Sequence, residues 1–176
     1  KRPLKASHIA AIAEIKPGLL MVGMGDGSML SLNLHSREFT LRQNNVFWPA
    51  RTSSRPIKCI LKDMEKDFVW VSRFTYGFGK YSLEDGILNF YEYTEDLIGI
   101  GFVYSMAQDN NGKIWMATVQ GLISFDPQTE QYGVHRYDDQ DPHSLAGDIN
   151  YSVYIDEQGI VWSGSDGKGL SLYKPY

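Results

Sequence analysis

Between residues 103 and 137 the chain reads VYSMAQDNNGKIWMATVQGLISFDPQTEQYGVHRY. Four apolar runs, at 103–107, 113–118, 122–125 and 132–137, are each cut short by Asn, Asp, Gly or Pro. Runs this short, rich in Val, Ile, Tyr, Trp and Phe, fit a half-extended pleated surface and leave no room for a helix. The turns agree. Asn111-Gly112 supplies residues that tolerate the positive φ of a tight hairpin, and Pro127 fixes φ at a turn while lacking a donor for a central strand. The segment therefore reads as a four-stranded antiparallel meander.

The pattern recurs along the chain. The large apolar residue of the second run falls at Met21, Trp70, Trp115 and Trp162, at intervals of 49, 45 and 47 residues. A period in the forties with four strands per unit is the spacing of propeller blades. The units cover 9–44, 57–93, 102–137 and 149–176, and the last holds only three strands. The expected fold is all-β: one domain over 1–176, a β-propeller fragment of four four-stranded antiparallel blades, the last incomplete. Gly18, Gly112 and Gly159 each stand three residues before the anchor, which predicts one left-handed turn reused; Asp67 takes that place in the second unit. The first and second runs are almost solidly apolar, so both are expected to be buried on two faces. By their register Trp70, Trp115 and Trp162 belong to the core.

Composition narrows the function. At 43% hydrophobic and 13% aromatic residues the chain can bury a core. A net charge of −4 and no basic run argue against a nucleic-acid partner. No apolar run approaches the ~18–20 residues that span a bilayer, so no membrane contact is expected of this segment. Residues 1–15 are basic but too polar and short for a signal core. With no Met at position 1, the chain reads as cut from a larger parent. Cys59, the single cysteine, sits in an apolar run and reads as a small buried hydrophobe.

No catalytic set or cofactor signature stands out. His8, His35, His135 and His143 share no metal-ligand spacing. Gly23 to Ser28 resembles a phosphate loop but joins strand to strand, so a tight turn is expected. Asp138, Asp139 and Asp141 cluster in one loop without calcium-loop spacing and read as a solvated acidic turn. Asn150-Tyr151-Ser152 is a formal glycosylation sequon placed in an inner strand.

The segments SMAQDNNGKIWMATVQGLISFD (105–126) and 152–173 resemble the two-component regulator propeller repeat. That repeat has an apolar pair, an Asp, a Gly turn, Ile-Trp-Ile-Gly-Thr, Gly-Leu and an aromatic-Asp. The linker DQDPHSLAGDI (139–149) is similar to the Asp-Pro-x-Ser-Leu stretch preceding many such repeats. The likeness is strong over 102–173 and weak over 9–44, where Met21 stands for Trp; residues 73–79 also depart from it. The resemblance implies the periplasmic sensor region of a hybrid two-component protein, of the kind gut Bacteroidetes use for polysaccharides. In that family two seven-bladed propellers and a tyrosine-motif sandwich precede a membrane helix, a histidine kinase and a DNA-binding output. This chain would be a non-catalytic four-blade piece of one such propeller.

The candidate ligand residues are Trp48 and Arg51 in the loop 44–55, and Arg73, Phe74 and Tyr76 in the loop 73–78, which also holds Phe78. One loop joins an outer strand to the next inner strand, the other joins second to third strands, and in propellers both open on one face. Flat aromatics beside Arg suit stacking on a sugar ring or anchoring a protein, giving a possible oligosaccharide or protein partner. The alternative is that they pack on each other to hold long loops down. An enzyme such as a lyase is disfavoured because no acid/base pair recurs at the mouth. Finally, a cut array leaves end faces of several hundred Å² of apolar surface, each worth several kcal/mol to cover at ~25 cal/mol per Å². Self-association is expected, or closure of a ring with residues 1–5 as the missing outer strand, a role to which Pro3 is ill suited.

Overall fold

The structure, a computed structural model, describes residues 8–43, 56–73, 77–92 and 102–174. Among them are fifteen strands and no helix. β1 (Ile9–Lys16), β2 (Leu19–Met24), β3 (Met29–Asn33) and β4 (Glu38–Gln43) form the first sheet. β5 (Ile57–Lys62), β6 (Phe68–Arg73), β7 (Gly77–Ser82) and β8 (Leu88–Glu92) form the second. β9 (Val103–Gln108), β10 (Ile114–Thr118), β11 (Gly121–Asp126) and β12 (Gln131–His135) form the third, and β13 (Asn150–Ile155), β14 (Val161–Ser165) and β15 (Gly169–Tyr173) the fourth. Every pairing is antiparallel between strands consecutive in sequence. The chain divides into two compact units, Lys1–Asp96 and Leu97–Tyr176, each holding two sheets.

In both units one sheet packs face to face on the next. In the first, Ile15, Met21 and Met29 of the first sheet meet Ile57, Ile60, Val69, Val71 and Tyr81 of the second. Gly23 lets the sheets approach: a Cβ there would lie 2.5 Å from the Ile57 side chain. In the second unit Trp115, Ala117 and Leu122 of the third sheet meet Val153 and Val161 of the fourth, with Leu145 from the connection. The first strands of successive sheets are neighbours, β1 beside β5 and β9 beside β13. Residue alternation decides which side chains do this. Trp115 and Ile114 are adjacent and both buried, so β10 is covered on both faces, as a nearly solid apolar run requires.

Among the second strands β6 and β10 are buried throughout, as the sequence implies, but β14 is not, and Trp162, expected in the core, is only half-buried because no sheet of its unit packs over that face. The first strands are not buried throughout. β1 and β13 carry exposed residues such as Ile12 and Tyr154, which lie on the sheet faces turned away from the packed partner sheet of their own unit, whereas the equally edge-placed β5 and β9 carry none. Cys59 is likewise half-buried rather than buried.

One turn is reused as expected: Gly18, Gly112 and Gly159 have φ of 76°, 83° and 78°. What holds it is a carboxylate that spacing alone did not single out. Asp109 Oδ1 accepts from the amides of Asn111 (2.9 Å) and Lys113 (3.0 Å), and its Oδ2 accepts from the Trp115 indole at 2.9 Å. Asp156 repeats this with Gln158 (3.0 Å), Ile160 (2.9 Å) and the Trp162 indole (2.8 Å). Asp63 accepts from Glu65 (3.1 Å), Lys66 (3.0 Å) and the Trp70 indole (3.1 Å). Each clasp satisfies an indole donor, buried for Trp70 and Trp115 and part-buried for Trp162, while shaping the turn that starts the second strand. The indole N–H bond, joined by the turn amides, holds Asp156 below the usual carboxylate range. In the first sheet the register puts Ile15 and Met21, both buried, at the equivalent positions. An apolar pair has replaced the polar one whole, leaving no orphaned group.

A second recurring glycine marks the start of the third strand. A Cβ on Gly77 would lie 2.2 Å from the Tyr91 carbonyl oxygen, and on Gly121 2.2 Å from that of His135. Both oxygens belong to fourth strands. At the equivalent Gly169 a Cβ would meet nothing within 4 Å, because no strand pairs with the outer edge of β15 among the described residues. The fourth sheet is three-stranded, as the sequence implies.

Candidate functional site

Of the five candidate ligand residues, Trp48, Arg51, Phe74 and Tyr76 lie outside the described residues. Arg73 is the last residue of β6 and is 1% exposed, so it belongs to the sheet rather than to a loop surface. Burial pushes its pKa down to about 10, and the negative charge of Asp26 works the other way; the guanidinium stays charged at neutral pH. Asp26 sits on the β2–β3 turn. Burial opposes its charge, but the hydroxyl and amide of Ser28 donate to it and Arg73 adds attraction, so its pKa lies below the ordinary carboxylate value. These contacts make 25–28 a tight turn, with Gly27 at φ 85°. Phe78 is not a loop residue. It lies in β7, fully buried, stacked on Tyr91 at 5.4 Å and tilted against Trp70 at 6.0 Å.

In the second unit the connection from β12 to β13 rests on two strand turns. The Gly121 amide donates to the Asp148 carbonyl (2.6 Å) and the Asp166 amide to that of Ile149 (2.8 Å). Both loop types therefore share one end of this unit, the arrangement the sequence reading required. Asn150 anchors it: fully buried, it accepts from Ser163 Oγ (2.7 Å) and Ser165 Oγ (2.9 Å) and donates to the carbonyls of Gly147 (3.0 Å) and Asp148 (2.9 Å). Its amide is fully engaged and sealed from any glycosylating enzyme. The acidic loop is spent on its own turns: Asp138 Oδ1 accepts the Gln140 amide and Asp141 Oδ1 the His143 amide, each at 2.9 Å.

A groove of about 1220 Å³ runs between loop 136–146 and residues 170–174 along the open edge of β15. It exceeds the roughly 300–1,000 Å³ of a small-molecule pocket. At its floor His135 stacks on Trp115 (5.3 Å) and lies tilted against Tyr173 (4.7 Å), which also meets Trp115 (5.2 Å), so three mutually touching rings join the third and fourth sheets. Burial lowers the His135 pKa from its ordinary 6.5. The unfolded chain thus binds a proton more readily, so stability is lost as pH falls below 6.5. Protection factors at β11 and β12, taken after correction for the pH dependence of intrinsic exchange, are expected to fall on acidification in the native protein, and less in His135→Phe, which keeps the ring contacts without titrating.

The fold so defined is that of a β-propeller segment. Residues 98–120 match the family described as two component regulator propeller. The chain is similar to the extracellular domain of the hybrid two component system BT4673 of B. thetaiotaomicron, with a TM-score of 0.79 and 22% identity over 98% of this chain and 22% of that one. It is also similar to the extracellular domain of the hybrid system BT3049 of the same organism (TM-score 0.66, 18% identity, 92% and 19% covered). The WD40 β-propeller domain of Doa1 gives a TM-score of 0.71 at 11% identity, with 96% and 51% covered. No curated protein matches the chain. The chain spans about a fifth of the length of the two extracellular domains.

Proposed function

We propose that this chain is a non-catalytic, periplasmic sensor segment of a two-component signalling protein. In this reading it takes part in recognising a glycan-derived ligand and passes a change of shape to a histidine kinase in the same parent. The observation that carries it is the likeness of nearly the whole chain to the extracellular domain of a hybrid two component system, together with the repeat match at 98–120. Aromatic loops beside arginine supply the recognition chemistry: flat rings stack on sugars, and guanidinium forks donate to their oxygens. Trp48, Arg51, Phe74 and Tyr76 are the contacts proposed; Arg73, buried at the end of β6, drops out of the set. The test is glycan-array binding by the intact parent sensor, with Trp48→Ala and Tyr76→Ala as comparison. Binding that both substitutions abolish is the expected result. A sensor that binds no glycan, or binds equally well with both rings removed, would leave the second reading, a scaffold that contacts protein.

A further inference from the structure

We propose that Tyr104 and Tyr151, with Asp166 beside them, form a saccharide subsite on the second unit that takes an uncharged sugar ring and rejects uronate or sulfated ones. This rests on the glycan-sensing reading above and adds a contact and a specificity to it. The position comes from a β-bulge that the repeat uses four times. In each first strand the register with the second strand skips one residue. The skipped residues are Ala10, Lys58, Tyr104 and Tyr151. Each stands eleven residues before its second-strand anchor, or twelve in the case of Trp70. A bulge leaves its extra residue out of the ladder and re-aims the side chain. Ala10 and Lys58 show that this bulge forms without a ring, so the fold does not call for tyrosine there.

In the second unit both bulges carry tyrosine. The two rings meet across the neighbouring strands β9 and β13, edge to face, with centroids 4.9 Å apart and planes at 80°. Phe102 meets Tyr104 in the same way at 6.0 Å. Tyr151 therefore leans back on the third sheet, placed by a neighbour inside its own unit. Rings nearly at right angles make a corner of two apolar walls, into which the C–H face of a sugar ring fits. Asp166 stands at the same end, its amide donating to the Ile149 carbonyl at 2.8 Å. Burial, then Tyr151 and the charge of Asp166, hold the Tyr104 pKa above its ordinary value, so that carboxylate lies within electrostatic reach of the rings. Its oxygens can accept sugar hydroxyls in charge-assisted bonds, while its charge repels an anionic ligand.

The experiment is binding of the intact parent sensor to an array of neutral oligosaccharides printed beside their uronic-acid and sulfated counterparts. The native protein is compared with Tyr151→Ala, Tyr151→Phe and Asp166→Asn, and far-UV circular dichroism confirms that each variant keeps its strands. Native sensor is expected to bind neutral glycans, roughly tenfold or more weakly after Tyr151→Ala. Tyr151→Phe, which keeps the ring, should retain most of that binding. Asp166→Asn keeps an acceptor but drops the charge, and should bring the acidic counterparts into binding. Neutral glycans that bind Tyr151→Ala as well as the native protein overturn the subsite and leave the sensor reading standing. So does a native sensor that prefers acidic glycans, and so does an Asp166→Asn protein that still excludes them. A sensor that binds no glycan of either kind overturns both.

Discussion

Replacing Trp115 by Ala is expected to destabilise the second unit by about 3–5 kcal/mol. The indole is 2% exposed, lies between the third and fourth sheets, stacks on His135 and lies tilted against Tyr173. Its removal leaves a cavity that rigid sheets on both sides cannot close. Trp162→Ala removes the same group from a half-buried site, and the expected loss is on the order of 1–2 kcal/mol. Denaturant unfolding of the two variants side by side measures the difference. Equal losses would mean that the repeat position, rather than the sheet packed over it, sets the cost.

The second large effect belongs to Asp109. Asp109→Ala strips partners from the Trp115 indole and from the turn amides of Asn111 and Lys113. A buried donor left unmet costs about 1–3 kcal/mol, and the turn amides recover part of theirs from water, so a total near 3 kcal/mol is expected. The first sheet suggests the compensating change. Asp109→Ile combined with Trp115→Met installs the apolar pair found at Ile15 and Met21. The double variant is expected to be more stable than the sum of its single changes predicts, because the second change removes the donor that the first one orphans. An additive cycle would show that the indole bond contributes nothing of its own.

Much of this fold is legible before any coordinates. The strand runs, the breakers between them and the spacing of Met21, Trp70, Trp115 and Trp162 give four sheets whose bounds differ from the observed strands by at most three residues. The Gly offset gives one turn geometry, realised at Gly18, Gly112 and Gly159. β7 shows where this stops. Gly77 and Phe78 look like loop, since glycines flank an aromatic, yet Gly77 at φ 139° begins the strand and Phe78 fills the core. The clasping aspartates carried a usable signal too: Asp109 and Asp156 stand six residues before their Trp, and Asp63 seven. An aspartate at a turn has a local explanation, however, and only the indole across the hairpin reveals its second partner.

The candidate site was less legible than the fold. Its members were chosen as loop aromatics beside arginine, but residue type does not say which way a side chain points. Arg73 proved to end a buried strand, its charge answered by Asp26 from the neighbouring sheet. Periodicity and turn chemistry act between residues a few positions apart, so the sequence alone determined the strands, their order and the repeat. Which faces are covered depends on what the next sheet brings from 40-odd residues away. Tertiary packing therefore decided that Trp115 is sealed and Trp162 half-open, and that Tyr154, Leu170 and Leu172 face outward.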